Sequence, residues 1–363
     1  MREYLLVAFI AVVTVMLTAG LVRQIAERRG VLAEVRDRDV HDVPVPRLGG
    51  AAMLAGLFAC VVVASQLPLL SSVFAEGDDI RALLSGAALI AALGAADDRW
   101  GLDALTKLCG QAFAAGVMVV QGIQLVWLPL PGETIALDPL TGSVVAIVIV
   151  LVVVNAVNFV DGLDGLAAGI VAIAASATFG FSYLLSVQNG IERALTPTLI
   201  SAALVGLCAG FLMHNFFPAR IFMGDTGSML IGLLLAASTI SLTGRVDYQL
   251  FDGVQLFPAL LPVLLPLAVL AVPFLDLGLA VLRRTRAGRS PFTADKQHLH
   301  HRLLELGHSQ RRAVLLMYAW TALIAYGALA LSFLPIGPAL AGVGLAVVAL
   351  IALIRAPRET VPA

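Results

Sequence analysis

The stretch Val144–Asp161, VVAIVIVLVVVNAVNFVD, decides how the chain is read. It opens on an unbroken apolar run through Val154, and with its neighbours it fills the ~20 residues a helix needs to cross a bilayer. Asn155, Asn158 and Asp161 then recur at helical spacing, so two amides and a carboxylate can share one face of the helix end. Polar groups at that depth are costly unless they serve an ion, a proton or a phosphate. The stretch therefore reads as a membrane helix that delivers a polar site to the bilayer edge.

The rest of the chain agrees. Of 363 residues, 60% are hydrophobic and 13% charged, with a mean hydropathy of +0.95, against roughly a quarter charged in soluble domains. Apolar stretches of spanning length fall near 4–22, 48–68, 81–96, 108–128, 142–160, 166–186, 197–217, 228–243, 258–282, 313–333 and 338–354. The expectation is an all-α polytopic membrane protein of about eleven transmembrane helices, a single integral-membrane domain over residues 1–363. The start Met1-Arg2-Glu3 reads as a first membrane helix and not a signal peptide. A net charge of −1 carries no nucleic-acid signal. Cys60, Cys109 and Cys208 lie in apolar stretches with no CxxC and read as buried small hydrophobes.

Lys and Arg concentrate in the loops 23–47, 97–107, 218–227 and 283–312 and in the tail, whereas the opposite side holds only Arg2, Arg81, Arg193 and Arg245. By the positive-inside bias the N-terminus is outside, the C-terminus cytoplasmic, and the polar motifs face the cytoplasm of an inner (plasma) membrane. The outer loops, including Glu76-Gly77-Asp78-Asp79 and Pro131-Gly132-Glu133, read as ordinary turn material.

Four inner segments carry chemistry. Asp97-Asp98 and Lys107 join the third and fourth spans, and because the chain turns back, Lys107 can return to the level of the aspartates; a solvated loop with an internal ion pair is the equal alternative. Asn155, Asn158, Asp161, Gly162 and Asp164 combine carboxylate and amide oxygens, which suits a hard cation such as Mg²⁺ completed by phosphate; more polar groups stand here than helix capping requires. Phe222-Met223-Gly224-Asp225-Thr226-Gly227-Ser228 lets backbone approach a ligand between glycines, although Asp225 could equally be a helix N-cap. The basic loop from Arg283 to Leu303 contains His298, His300, His301 and Arg302, donors suited to a pyrophosphate and not spaced as a zinc site.

Together, DDxxxLxxxxK from Asp97 to Lys107, NxxNxxDGxDGLAAG from Asn155 to Gly169, FMGDTGS from Phe222 to Ser228 and HLHHRL from His298 to Leu303 resemble the polyprenyl-phosphate N-acetylhexosamine-1-phosphate transferase family. Pro44-Val45-Pro46-Arg47-Leu48-Gly49-Gly50 resembles its first cytoplasmic segment. The HxHHRL form is similar to the branch that transfers N-acetylglucosamine 1-phosphate, with the muramoyl-pentapeptide branch as the alternative. The resemblance implies a UDP-sugar and a polyprenyl phosphate as substrates, Mg²⁺ as cofactor with Mn²⁺ as substitute, and a homodimer as a possible assembly. It further implies Asp97 and Asp98 near the lipid phosphate, Lys107 on phosphate oxygens, Asp161 and Asp164 around the nucleotide, and His300 with Arg302 on the pyrophosphate. Phe222 would stack on uracil; Arg47, Asn155, Gly162, His298 and His301 would bind substrate. Asp225 and Asn158 are the expected metal ligands. A transporter is the non-enzyme alternative, but no inverted repeat is visible. A CDP-alcohol phosphotransferase would carry further aspartates downstream, whereas after Asp164 the next acid is Glu192.

Overall fold

Helix α9 (Gly224–Arg245) explains the architecture, because its apolar window is wholly enclosed by other helices. A helix hydrophobic all round belongs at the centre of a membrane bundle. Three of its buried polar residues are satisfied along their own helix: Ser238 and Thr239 donate to the carbonyl of Leu235, and Thr243 to that of Thr239, as a low-dielectric surround favours. In the computed structural model, which describes residues 1–29, 45–75, 78–130, 133–189, 194–245, 285–286 and 309–355, the helices around it are α1 (Arg2–Arg29), α2 (Gly49–Ala64), the short α3 (Ser71–Ala75), α4 (Asp78–Trp100), α5 (Ala104–Val120), α6 (Pro139–Val160), α7 (Leu166–Asn189) and α8 (Leu195–Asn215). Two further helices, α10 (Gln310–Phe333) and α11 (Ile336–Arg355), follow.

α9 packs on α4, α6, α8, α2 and α7, with α1 laid against α8 and α2. α11 touches α10 and turns Ile336, Leu340, Leu345 and Val348 outward, as a lipid-facing helix should. Among the described residues eight helices are long and apolar enough to cross a membrane, and α2 and α5 are shorter apolar ones. Ten of the eleven expected spans thus fall on helices; the ninth, 258–282, lies outside the described residues, as do the outer turn residues Gly77, Pro131 and Gly132.

Three expectations are corrected. The fourth span does not run to residue 128: α5 stops at Val120, Gly122 takes φ +130°, and Trp127–Leu130 pairs antiparallel with Glu133–Ala136 as a hairpin. Asp78 and Asp79 are not loop residues but open α4, and Asp79 is only 6% exposed. Cys109 is exposed on α5, while Cys60 and Cys208 are buried as expected.

Candidate active site

The site forms where the ends of α4 and α6 meet the beginnings of α5 and α9. Asp97 and Asp98 lie in the last turn of α4, not in the loop that follows. There the chain reverses: Gly101 takes φ +66° and donates its N–H to the carbonyl of Asp97, and Leu102 N–H donates to Asp97 Oδ1 at 2.7 Å. Asp103 then caps α5, accepting from the N–H groups of Leu105 and Thr106, and Thr106 beside it holds its carboxyl below the usual range. One turn into α5 this reversal delivers Lys107, whose Nζ stands 2.7 Å from Asp97 Oδ2 and 2.5 Å from Asp225 Oδ2. The expected return of Lys107 to the aspartates is what the structure has.

Asp225 occupies the first turn of α9, yet its carboxylate does not cap that helix. Oδ2 faces Lys107, and Oδ1 accepts from Asn158 Nδ2 at 2.7 Å; the same Nδ2 lies 2.8 Å from Ser228 Oγ. The capping is done from α4: Asp98 Oδ1 accepts from Asp225 N–H at 2.8 Å, and Oδ2 from Thr226 N–H and Oγ1 at 3.0 and 2.7 Å. Two glycines permit that approach. A Cβ on Gly94 would lie 2.5 Å from Thr226 Cα, and one on Gly224, at φ +67°, 2.5 Å from Asp98 Oδ2.

The segment 45–50 is laced to the same turn through backbone. Phe222 N–H donates to Pro46 O, while Gly49 and Gly50 N–H donate to the carbonyls of Phe222 and Met223. These bonds satisfy the open start of α2, whose N-cap Leu48 offers no side-chain acceptor, and they carry half-buried Arg47 and Phe222 to the site. Asp161 follows α6 as its C-cap. Loss of solvent, and then the carboxylates of Asp225, Asp98 and Asp164, push its pKa up to about 7, with Arg47 opposing. Asp164 is 5% exposed and accepts from Ala219 N–H at 2.9 Å. Asn215 bridges the same two loops, accepting from Gly165 N–H and donating to Ile221 O, and Gly162 beside them is exposed.

The structure brings the sequence-named residues Asp97, Asp98, Lys107, Asn158, Asp161 and Asp225 together. Asn155 stands one turn deeper and pairs with Gln111. His298, His300, His301 and Arg302 lie outside the described residues. Gln111, Asn215 and Tyr318, whose hydroxyl donates to Gly165 O, were not singled out from sequence; the available signal for Gln111 was its place one turn after Lys107.

Asp225 offers carboxylate oxygens, Asn158 turns its amide nitrogen toward them, and no group of three or more His, Cys, Asp or Glu among the described residues closes around an ion. That fits a cation such as Mg²⁺, which keeps water and takes substrate phosphate instead of a full protein cage. Five carboxylates against Lys107 and Arg47 leave negative charge for such a cation to offset.

A helical membrane protein that converges carboxylates, an amide and an ammonium at one end of its bundle is built to handle a charged group at the bilayer edge. The family described as glycosyl transferase family 4 matches residues 80–243, the span from α4 to α9 that carries these groups. A decaprenyl-phosphate N-acetylglucosaminephosphotransferase of Mycolicibacterium smegmatis is 46% identical over 361 residues, covering 98% of this chain and 89% of its own. A probable undecaprenyl-phosphate N-acetylglucosaminyl 1-phosphate transferase of Bacillus subtilis is 32% identical over 322 residues, covering 86% and 81%. The chain belongs to glycosyl transferase family 4 and is a membrane-embedded phosphotransferase.

Proposed function

We propose that the chain transfers N-acetylglucosamine 1-phosphate from UDP-GlcNAc to a polyprenyl (decaprenyl or undecaprenyl) phosphate, giving polyprenyl diphosphate-GlcNAc and UMP. A phosphate oxygen of the lipid attacks the sugar-linked phosphorus, and the bond to the UMP oxygen breaks. With a second pKa near 6 the lipid phosphate is already mostly dianionic at cytoplasmic pH, so the chain's task is to position two anions and offset their repulsion. The observation that carries this reading is the meeting of Lys107, Asp225 and Asn158 at the helix ends.

In this reading Lys107 leaves its two carboxylates for phosphate oxygens, and Asp97 and Asp98 face the lipid headgroup. Asp225 and Asn158 would hold Mg²⁺, or Mn²⁺, with the amide turned to present its oxygen. When bound, that cation supplies Lewis-acid neutralisation of the phosphates. Asp161 and Asp164 line the nucleotide side with Arg47 and Phe222, and the histidine loop supplies the remaining pyrophosphate donors. The names of the relatives in Mycolicibacterium and Bacillus support the sugar and the carrier.

The test is to incubate membranes separately with labelled UDP-GlcNAc and UDP-MurNAc-pentapeptide plus polyprenyl phosphate and Mg²⁺. Lipid-linked product from UDP-GlcNAc with release of UMP is expected; release of UDP would mean ordinary glycosyl transfer, and preference for the pentapeptide substrate would move the chain to the muramoyl branch. The Lys and Arg distribution supports a site at the cytoplasmic face of the plasma membrane. In a cysteine-free background Ala136→Cys should then react with an impermeant thiol reagent from outside and Ala104→Cys should not.

A further inference from the structure

Beneath the site lies a second polar layer that its chemistry does not use. Lys107, Asn158 and Asp225 come from α5, α6 and α9; one helical turn deeper on the same faces stand Gln111, Asn155 and Met229. Asn155 lies at the surface of α6, yet both hydrogens of its amide are used: Nδ2 donates to Gln111 Oε1 at 2.6 Å and to Leu151 O at 2.8 Å. Gln111 is 0% exposed, and its Nε2 points back to Asn155 Oδ1 at 3.4 Å and to Met229 Sδ at 3.6 Å. Two amides thus face each other across α5 and α6, with the third helix of the site in contact.

An apolar pair would fill this position without any polar group to satisfy, and hydrogen bonds between membrane helices contribute only modestly to stability. What an amide pair adds is direction, since its geometry fails if either helix rotates or slides. The layer above is sensitive to that motion, because before substrate binds Lys107 and Asn158 reach opposite oxygens of one carboxylate, at 2.5 and 2.7 Å. We propose that Gln111 and Asn155 are positioning residues: their amide pair fixes the register of α5 against α6 so that Lys107 and Asn158 converge on Asp225. This rests on the proposed reaction, and it gives Asn155 a task other than binding substrate.

The test compares turnover of the full-length enzyme in membranes, with UMP release as readout. Gln111→Met and Asn155→Leu should each lower kcat about tenfold or more, as a small misplacement of reacting groups does, with KM for the UDP-sugar within about twofold. Two groups acting as one device give non-additive losses, so the double variant should be no slower than the slower single one. The exchange Gln111→Asn with Asn155→Gln keeps an amide on each helix and should recover most of the lost turnover. Gln121→Met removes a bond of the same kind, Gln121 Nε2 to Ser85 Oγ at 2.9 Å, at the far end of α5, and should leave kcat at the parental value. Single variants within twofold of the parental kcat, losses that multiply in the double variant, or an exchange variant as slow as the double one would each overturn the proposal. Should Gln111→Met fail to fold, the exchange variant decides by the same criterion. Parental turnover of UDP-GlcNAc is measured alongside: its absence counts against the proposed reaction, whereas variant-to-parent ratios on whichever UDP-sugar is used count for or against the amide pair.

Discussion

Helices α6 and α9 both begin at an acid, and the two acids are used in opposite ways. Asp138 caps its own helix, its Oδ1 accepting from Leu140 and Thr141 N–H at 3.1 Å each. Asp225 caps nothing; Asp98, 127 positions earlier, takes over that work for α9. An acid satisfied by its own helix has its oxygens engaged in holding the fold. An acid whose capping is done by another helix keeps its carboxylate for other partners, here Lys107 and Asn158, and in the proposed reaction this separates a structural aspartate from a functional one.

The largest expected effect breaks or keeps that distinction at once. Asp225→Asn retains size and an oxygen but loses the charge that faces Lys107, so UMP release should fall at least about a hundredfold while the melting temperature in detergent stays near the parental value. Turnover near the parental rate would mean that Asp225 is only another helix-start residue. Next comes Asp98→Ala, which removes the acceptors at the start of α9 and should cost about 1–2 kcal/mol of stability in addition to activity. Loss of activity with no change in thermal unfolding would show that Asp98 acts on substrate and not through α9.

Much of this was legible in the chain, and the boundary is instructive. The recurrence Asn155, Asn158, Asp161 follows from helical period alone, and the reversal at Gly101 brings Lys107 back to Asp97, so contacts within a helix or across one turn could be read directly. The capping of α9 by Asp98 could not, because nothing local marks which of two adjacent carboxylates turns toward a helix more than a hundred residues away. Gln111 lacked a motif, and its pairing depends on which face of α5 meets α6. Residues 127 and 128 read as membrane helix because Trp and Leu are apolar, although Gly122 and Pro129 signal the break. Asp79 was misread as a loop acid for the converse reason, since burial depends on neighbours that sequence does not give.

A smaller effect concerns Asp161. Its carboxyl stands at about 7 in the folded protein, against about 4 in an unfolded chain, so the protonated form favours folding. That contribution is full below about pH 4 and is lost as pH rises through 7. Asp161→Asn cannot ionise, so without divalent cation its melting temperature should vary less with pH between 4 and 7 than the parent's, and exceed it at pH 8. Parallel profiles would remove Asp161 from the acidic cluster.

The smallest effect belongs to Asp138→Ala, the control that the comparison requires. Asp79 cannot serve, being buried in α4, whereas Asp138 is exposed and lies at the end of α6 opposite Asn158. Its carboxyl is held below the usual range by Thr141, through side chain and backbone. A depressed pKa means that the stabilisation is present above about pH 4 and disappears as pH falls through the folded value. Asp138→Ala should therefore melt slightly earlier than the parent at pH 7, with the gap closing in acid, and release UMP at the parental rate throughout. If turnover drops as far as in Asp98→Ala, a frayed α6 start is felt at Asn158 a full helix length away, and the division between locally capped and remotely capped helices no longer separates structure from function.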